Sequence, residues 1–251
     1  MATTKQGNTT PGADAAQMAQ DGADFLNAYA GQGTEGIGQN AVSLSYLSIL
    51  QDLSDVVVAR QFEPGVFFNT GIQQDLGTEV KVIPVAFKTV WDERDQGGKT
   101  VSRYEPHAIE VIEEPVPIGQ SGFPVKKNPK TGNKIVETFA YALVLADHPE
   151  AGFLMHTAGL GSMKVYRRWN TMLKQMRLPN GQQAPIFAKI WTLVSGVKQS
   201  KTVNKPFYAL TDVIEGEYVN RDLFAQAVLP ARESSTALLL SAPTTNEEVE
   251  E

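Results

Sequence analysis

Between Ala151 and Thr211 the chain has no Asp or Glu, yet Lys164, Arg167, Arg168, Lys174, Arg177, Lys189, Lys198, Lys201 and Lys205 put nine positive charges there. At the overall frequency of 28 acids in 251 residues, about seven would fall in that window, so their absence is a compositional signal for an anionic partner. Tyr166, Trp169, Phe187, Trp191, Phe207 and Tyr208 are interleaved with the bases. Lysine and arginine neutralise phosphates and release counterions, while aromatic faces stack on unpaired bases. Together they point to sequence-tolerant binding of single-stranded DNA, because a duplex offers phosphates but no free base faces.

The residues expected to contact DNA are Lys164, Arg167, Arg168, Lys174, Arg177, Lys189, Trp191, Lys198, Lys201, Lys205, Phe207 and Tyr208. Lys126, Lys127 and Lys130 join them from an acid-free loop, 119–134. A plainer reading stands beside each part. Trp169 falls on the apolar stripe of a helix and fits core packing. Trp191 and Phe187 share strand parity and fit a core as well as a stacking platform, although Lys189 on the same parity argues for a partly open face. The lysine loops also fit solvated loops.

Catalytic chemistry finds little support. Asp92, Glu93 and Asp95 cluster as a metal-dependent nuclease would require, but Arg94 interrupts them and no further ligand has a recognisable spacing, so an acidic surface turn is expected. Gly97-Gly98-Lys99-Thr100 resembles the end of a phosphate-binding loop, except that the first glycine of that motif would fall on Glu93. Gly159-Leu160-Gly161 lacks the third glycine of a dinucleotide fingerprint. His107, His148 and His156 have neither metal-ligand spacing nor a serine elbow nearby, and there is no cysteine. The expectation is a non-enzyme with no cofactor and no metal.

The elements that must carry these side chains follow from periodicity. Residues 41–54, AVSLSYLSILQDLS, read as a short buried helix, with a strand as the alternative. EVKVIPVAFKTVW (79–91) alternates as a strand bent at Pro84, and a polar turn then leads to an extended stretch near 108–112. IVETFAYALVLA (135–146) and 153–157 read as buried strands. In SMKVYRRWNTMLKQMRL, Val165, Trp169, Met172, Leu173 and Met176 form one helical stripe, with Ser162 as N-cap and Pro179-Asn180-Gly181 as the stop. Strands at 185–197 and 206–214 and a short helix in RDLFAQAVL close the order. Several strands, a helix and two more strands make a mixed α+β, mainly β chain with the element order of an OB-like Greek-key barrel, its helix preceding the last two barrel strands.

The formal charge of −6 is unevenly distributed. Residues 1–40 hold −3 and residues 234–251 hold −4, leaving +1 for 41–233. The expected organisation is a flexible N-terminal segment (1–40), an OB-like DNA-binding domain (41–233) and a flexible acidic tail (234–251). No apolar run is long enough to span a membrane and the N-terminus lacks a signal core, so the cytoplasm is expected.

The segments FEPGVFFN, VKVIPVAFKTVWDERDQGG, ETFAYALVLA, MKVYRRWNTML, PIFAKIWTLVSG and the terminal EEVEE, together running from Phe62 to the end, resemble bacteriophage single-stranded DNA-binding proteins of OB-fold type. That resemblance implies a role in phage DNA replication or recombination. It also implies a tail, here Glu247, Glu248, Glu250 and Glu251, that recruits replication or recombination partners and competes with DNA for the basic groove. The chain departs from the bacterial pattern in ending on glutamates without a terminal Pro-Phe. Two further classes fit the composition: a recombination annealing protein, which would assemble into rings or filaments, and a virion or scaffold protein, which would ignore DNA.

Overall fold

The computed structural model describes residues 44–115, 125–199 and 206–235. The chain divides between Ser43 and Leu44, and every described residue belongs to the second unit, Leu44–Glu251. The expected flexible segments at 1–40 and beyond 235 lie outside the described residues, although helix continues through Ser234 and Ser235, the first two positions assigned to the tail.

In chain order the elements are β1 (Leu47–Ile49), the one-turn helix α1 (Asp55–Val58), β2 (Phe67–Asn69), β3 (Gln74–Asp75), β4 (Glu79–Arg94) and β5 (Thr100–Tyr104). Then come β6 (Ile112–Glu114), β7 (Val125–Lys127), β8 (Lys134–Leu145), β9 (Phe153–Thr157), α2 (Met163–Gln175), β10 (Lys189–Gln199) and β11 (Pro206–Tyr218). A C-terminal helical run follows, α3 (Arg221–Leu223) and α4 (Leu229–Ser235) joined by a π segment, Phe224–Val228. Pro230 cannot donate to the carbonyl four residues back and crowds it, so a widened turn just before it is the physical accommodation.

The fold is mainly β and antiparallel. The large sheet runs β11-β10-β4-β8-β7-β6, with β5 on β4 and β9 on β8, and β1-β2-β3 form a small second sheet. Among the described residues the ladders make this open path and no closed ring. Among the described residues an isolated bridge, Tyr46 to Met155, links the two sheets, supported by the Met155 amide donating to the Ser45 carbonyl at 2.8 Å. Between β1 and β11 the connection is a side chain: Gln51 donates to the Tyr208 carbonyl at 2.9 Å and accepts from its amide at 3.0 Å.

The centre is the long β4–β8 pair, in register from Val82–Leu145 to Arg94–Lys134. Its register shifts between Pro84 and Ala86, the bulge expected of a proline that has no N–H for the ladder. β8 is buried along almost its whole length because both faces are covered. Phe139, Tyr141, Leu143 and Leu145 face α2 and β10 in one core, where Tyr141 stacks on Trp169 at 4.8 Å and Trp169 meets the Trp191 ring edge-on at 6.2 Å. Ala140, Ala142 and Val144 face the opposite way, and their small size lets Ala227, Val228 and Ala231 of the C-terminal run approach.

Two local expectations are corrected and a third is refined. Residues 47–49 form strand β1, not a helix: the Leu47–Ile49 stretch pairs with β2, and Leu53, expected on the buried stripe, is 86% exposed. The extended stretch near 108–112 is instead β5 at 100–104, laid on the end of β4, with β6 beginning only at Ile112. Ser162 holds the N-cap position of α2, but its hydroxyl makes no capping bond; it donates instead to the Leu210 carbonyl at 2.9 Å, tying the helix start to β11.

Candidate nucleic-acid interface

Helix α2 forms where expected, and its buried side is Tyr166, Trp169 and Leu173. The spacing i, i+3, i+7 turns the opposite side outward, so Lys164, Arg167, Thr171 and Lys174 make one exposed stripe, about 15 Å long at 1.5 Å per residue. No ion pair engages Lys164, Arg167 or Lys174 among the described residues. Beside the helix start, Phe207 and Tyr208 are half-buried at the beginning of β11. Each ring is seated on a glycine: a Cβ on Gly161 would lie 2.3 Å from Phe207, and one on Gly65 2.5 Å from Tyr208.

The rest of the expected contact set is dispersed or neutralised. Trp191 is only 1% exposed and belongs to the core, so it offers no stacking face. Arg168 pairs with Asp212, which holds that carboxyl below its usual range, and also reaches the Val213 carbonyl at 3.3 Å. Lys189 pairs with Glu215, whose hydrogen bond raises the ammonium's pKa, and lies over the Tyr218 ring at 4.6 Å. Both acids sit just beyond the acid-free window in sequence: β10–β11 pairing carries Glu215 back to Lys189, and the packing of α2 on β11 brings Asp212 to Arg168. Lys198 donates to the carbonyls of Gly161, at 3.1 Å, and Leu210, at 2.8 Å, and its burial lowers its pKa. Arg177 donates to the Met176 carbonyl at 3.1 Å, near the end of α2.

In the β6–β7 hairpin Lys127 pairs with Glu114 at 2.7 Å, and Lys126 lies 3.8 Å from Glu113 and 5.0 Å above the Trp91 ring. Lys130 is exposed on the turn that follows. Lys201, Lys205 and the tail residues Glu247, Glu248, Glu250 and Glu251 lie outside the described residues.

A cleft of about 470 Å³ opens between β1, the ends of β4 and β5, the 157–162 segment and the start of β11. Tyr46, Arg94, Arg103, Phe207 and Tyr208 line it together with Asp92, His156 and Tyr166. Asp92 and Glu93 were expected on an acidic surface turn; both are instead buried in β4, at 1% and 2% exposure, because the strand continues to Arg94 under β5. Arg103 Nε donates to Asp92 at 2.8 Å and its Nη2 to the Thr157 hydroxyl at 3.1 Å. Burial alone would raise the Glu93 pKa. Hydrogen bonds from Thr131, Tyr104, Asn128 and Asn133 outweigh it and hold the carboxyl at about 2.

His156 is buried, and the Leu47 carbonyl at 2.7 Å requires Nδ1 to carry the proton, so Nε2 accepts from the Tyr166 hydroxyl at 2.7 Å. Burial lowers the histidine's pKa, opposed less strongly by the Leu47 bond, and raises that of Tyr166. The ring is therefore neutral and serves as a brace between β1, β9 and α2. No group of three or more His, Cys, Asp or Glu side chains suited to a metal ion occurs among the described residues. Gly97 and Gly98 form an ordinary β4–β5 turn, with Gly98 at φ +85°.

Tyr46, Arg94, Arg103 and Gln51 were not singled out by sequence reasoning. Arg94 entered only as an interruption of the acidic cluster, the other three lie in segments without a motif, and they converge only through the strand pairing.

Comparison with known families decides the kinship. A family model described as Pam3 phage gp34-like protein matches residues 14–232. The chain belongs to the Pam3 phage gp34-like family. The family's description names a phage protein and states no activity. No curated protein and no solved structure matches the chain. In this family member, no helix among the described residues is long and apolar enough to cross a membrane.

Proposed function

We propose that this gp34-like protein binds single-stranded DNA without chemistry on it, in phage DNA replication or recombination. The observation that carries the reading is the α2 stripe of Lys164, Arg167 and Lys174, exposed and free of ion pairs among the described residues, next to the glycine-seated rings of Phe207 and Tyr208. A backbone tracked by the stripe would bring its bases to those rings. Lys130 adds an exposed cation on the turn after β7, whereas Arg168, Lys189, Lys126 and Lys127 contribute less because a strand must compete with their carboxylate partners.

The OB-like barrel belongs to the same proposal. Its support is the helix ahead of the last two strands and the Gln51 side chain spanning the gap from β1 to β11. Within it, the glutamate tail competes with DNA for the cationic face or recruits replication partners.

The test is fluorescence anisotropy of labelled oligo-dT, oligo-rU and duplex over a salt series. Saturable binding of oligo-dT with a negative salt slope, and weaker binding of duplex, is the expected result. No saturable oligo-dT binding at low salt overturns the reading. Rings or filaments forming with oligonucleotide under the electron microscope would move the protein to the annealing class.

A further inference from the structure

We propose that the cleft at the start of α2 is a nucleotide subsite that takes one base and its phosphate from the bound strand. The inference rests on the single-strand reading for its source of nucleotide, and on the cleft's own chemistry for everything else. Two residues of its lining each carry a buried polar atom with no hydrogen-bond partner among the described residues, Tyr46 its Oη and Arg94 its Nε. A buried donor left unpaired is unfavourable, so a ligand oxygen towards which both side chains turn would be favoured there.

The charge of the lining selects an anion. Asp92 is already matched by Arg103, which leaves the Arg94 guanidinium in excess, and its planar fork suits phosphate oxygens. The Phe207 ring, seated on Gly161 of the lining, supplies the aromatic wall that a base requires. The volume of about 470 Å³ falls within the range of pockets that enclose small ligands. Anion and flat aromatic surface together describe a nucleotide better than a free phosphate or an apolar ligand.

Isothermal titration of the full-length protein with thymidine 5′-monophosphate, thymidine and inorganic phosphate tests this directly. Saturable binding of the monophosphate, tighter than of either fragment, is expected, with Arg94→Gln weakening it by about tenfold or more. Tyr46→Phe removes only the unpartnered hydroxyl, so it should melt like wild type and still lose affinity. Should Arg94→Gln fold poorly, this second variant decides the matter. Lys164→Ala with Arg167→Ala should leave monophosphate binding unchanged while weakening oligo-dT.

Absent monophosphate binding, or binding indifferent to both cleft variants, overturns the subsite; if oligo-dT still binds, the strand reading survives. Equal affinity for inorganic phosphate overturns the base contact. Monophosphate binding without oligo-dT binding upholds the cleft and removes the strand reading.

Discussion

Phe207 lies directly over Gly161, so that a Cβ at that glycine would stand 2.3 Å from the ring's Cε2 and 2.7 Å from Cζ. The absence of a side chain therefore sets where the ring sits. Gly161→Ala should push Phe207 aside, since the ring is the more movable partner, and weaken oligo-dT binding several-fold. Its cost to folding should stay within the 1–3 kcal/mol typical of overpacking. Anisotropy and a thermal melt of one preparation separate the effects, and unchanged affinity would dismiss the ring as a DNA contact.

Ion-paired and unpaired cations should behave differently. Lys164→Ala with Arg167→Ala should weaken oligo-dT binding and reduce the slope of log K against log salt by about 0.7 for each lost phosphate contact. Lys126→Ala with Lys127→Ala, whose ammonium groups face Glu113 and Glu114, should change both less. Neither pair should shift stability by more than about 0.5 kcal/mol, as both occupy surface positions. The reverse ranking would place the strand on the β6–β7 hairpin.

Glu93 makes stability pH-dependent. Its folded pKa, about 2, lies below the ordinary 4.5, so the unfolded chain takes up the proton first. The stabilisation is full above pH 4.5 and is lost as the pH falls towards 2, at a magnitude on the order of 3 kcal/mol. Glu93→Gln turns an amide donor towards the hydroxyls and amides that now donate to it. The variant should be less stable than wild type at neutral pH, and urea titrations should find the gap closing as acid is added. A gap constant from pH 7 to pH 3 would mean that the carboxylate is not held by those bonds.

The buried Asp92–Arg103 pair predicts non-additivity. Arg103→Met strands a carboxylate that is 1% exposed and should cost about 3–5 kcal/mol. Adding Asp92→Ala removes the orphaned charge, so the double variant should lose less than the sum of the singles. Additive losses in denaturant melts would show that the two charges do not depend on each other.

Removing residues 244–251 should tighten oligo-dT binding at low salt. Four glutamates tethered to a cationic surface compete with phosphate at high effective concentration. The difference should vanish at high ionic strength, where charges are screened. Equal low-salt affinities of truncated and full-length protein would leave partner recruitment as the tail's remaining proposed role.

The sequence by itself determined the elements whose signal is local. The alternation in 79–91, the apolar run in 135–146, the strand at 153–157 and the stripe through Trp169 each report a repeating face, which neighbouring residues define without distant help. The excess of cations after Ala151 was legible for the same reason. Which cations stay unpaired was decided only by the tertiary structure. Asp212 and Glu215 fall outside the acid-free window, but Asp212 meets Arg168 across 44 positions of sequence and Glu215 meets Lys189 across 26. Strand parity could not tell that Trp191 faces Trp169 in the core, because an alternating strand has two faces and only packing names the covered one. Asp92 and Glu93 look like a surface turn in sequence, and become buried because β5 and the 128–133 turn bring the donors that make burying a carboxylate tolerable. Of the cleft, only Phe207 and Tyr208 had a sequence signal: they meet Tyr46 and Arg94 through strand pairing and one glutamine side chain, and convergence of that kind leaves no period in the chain.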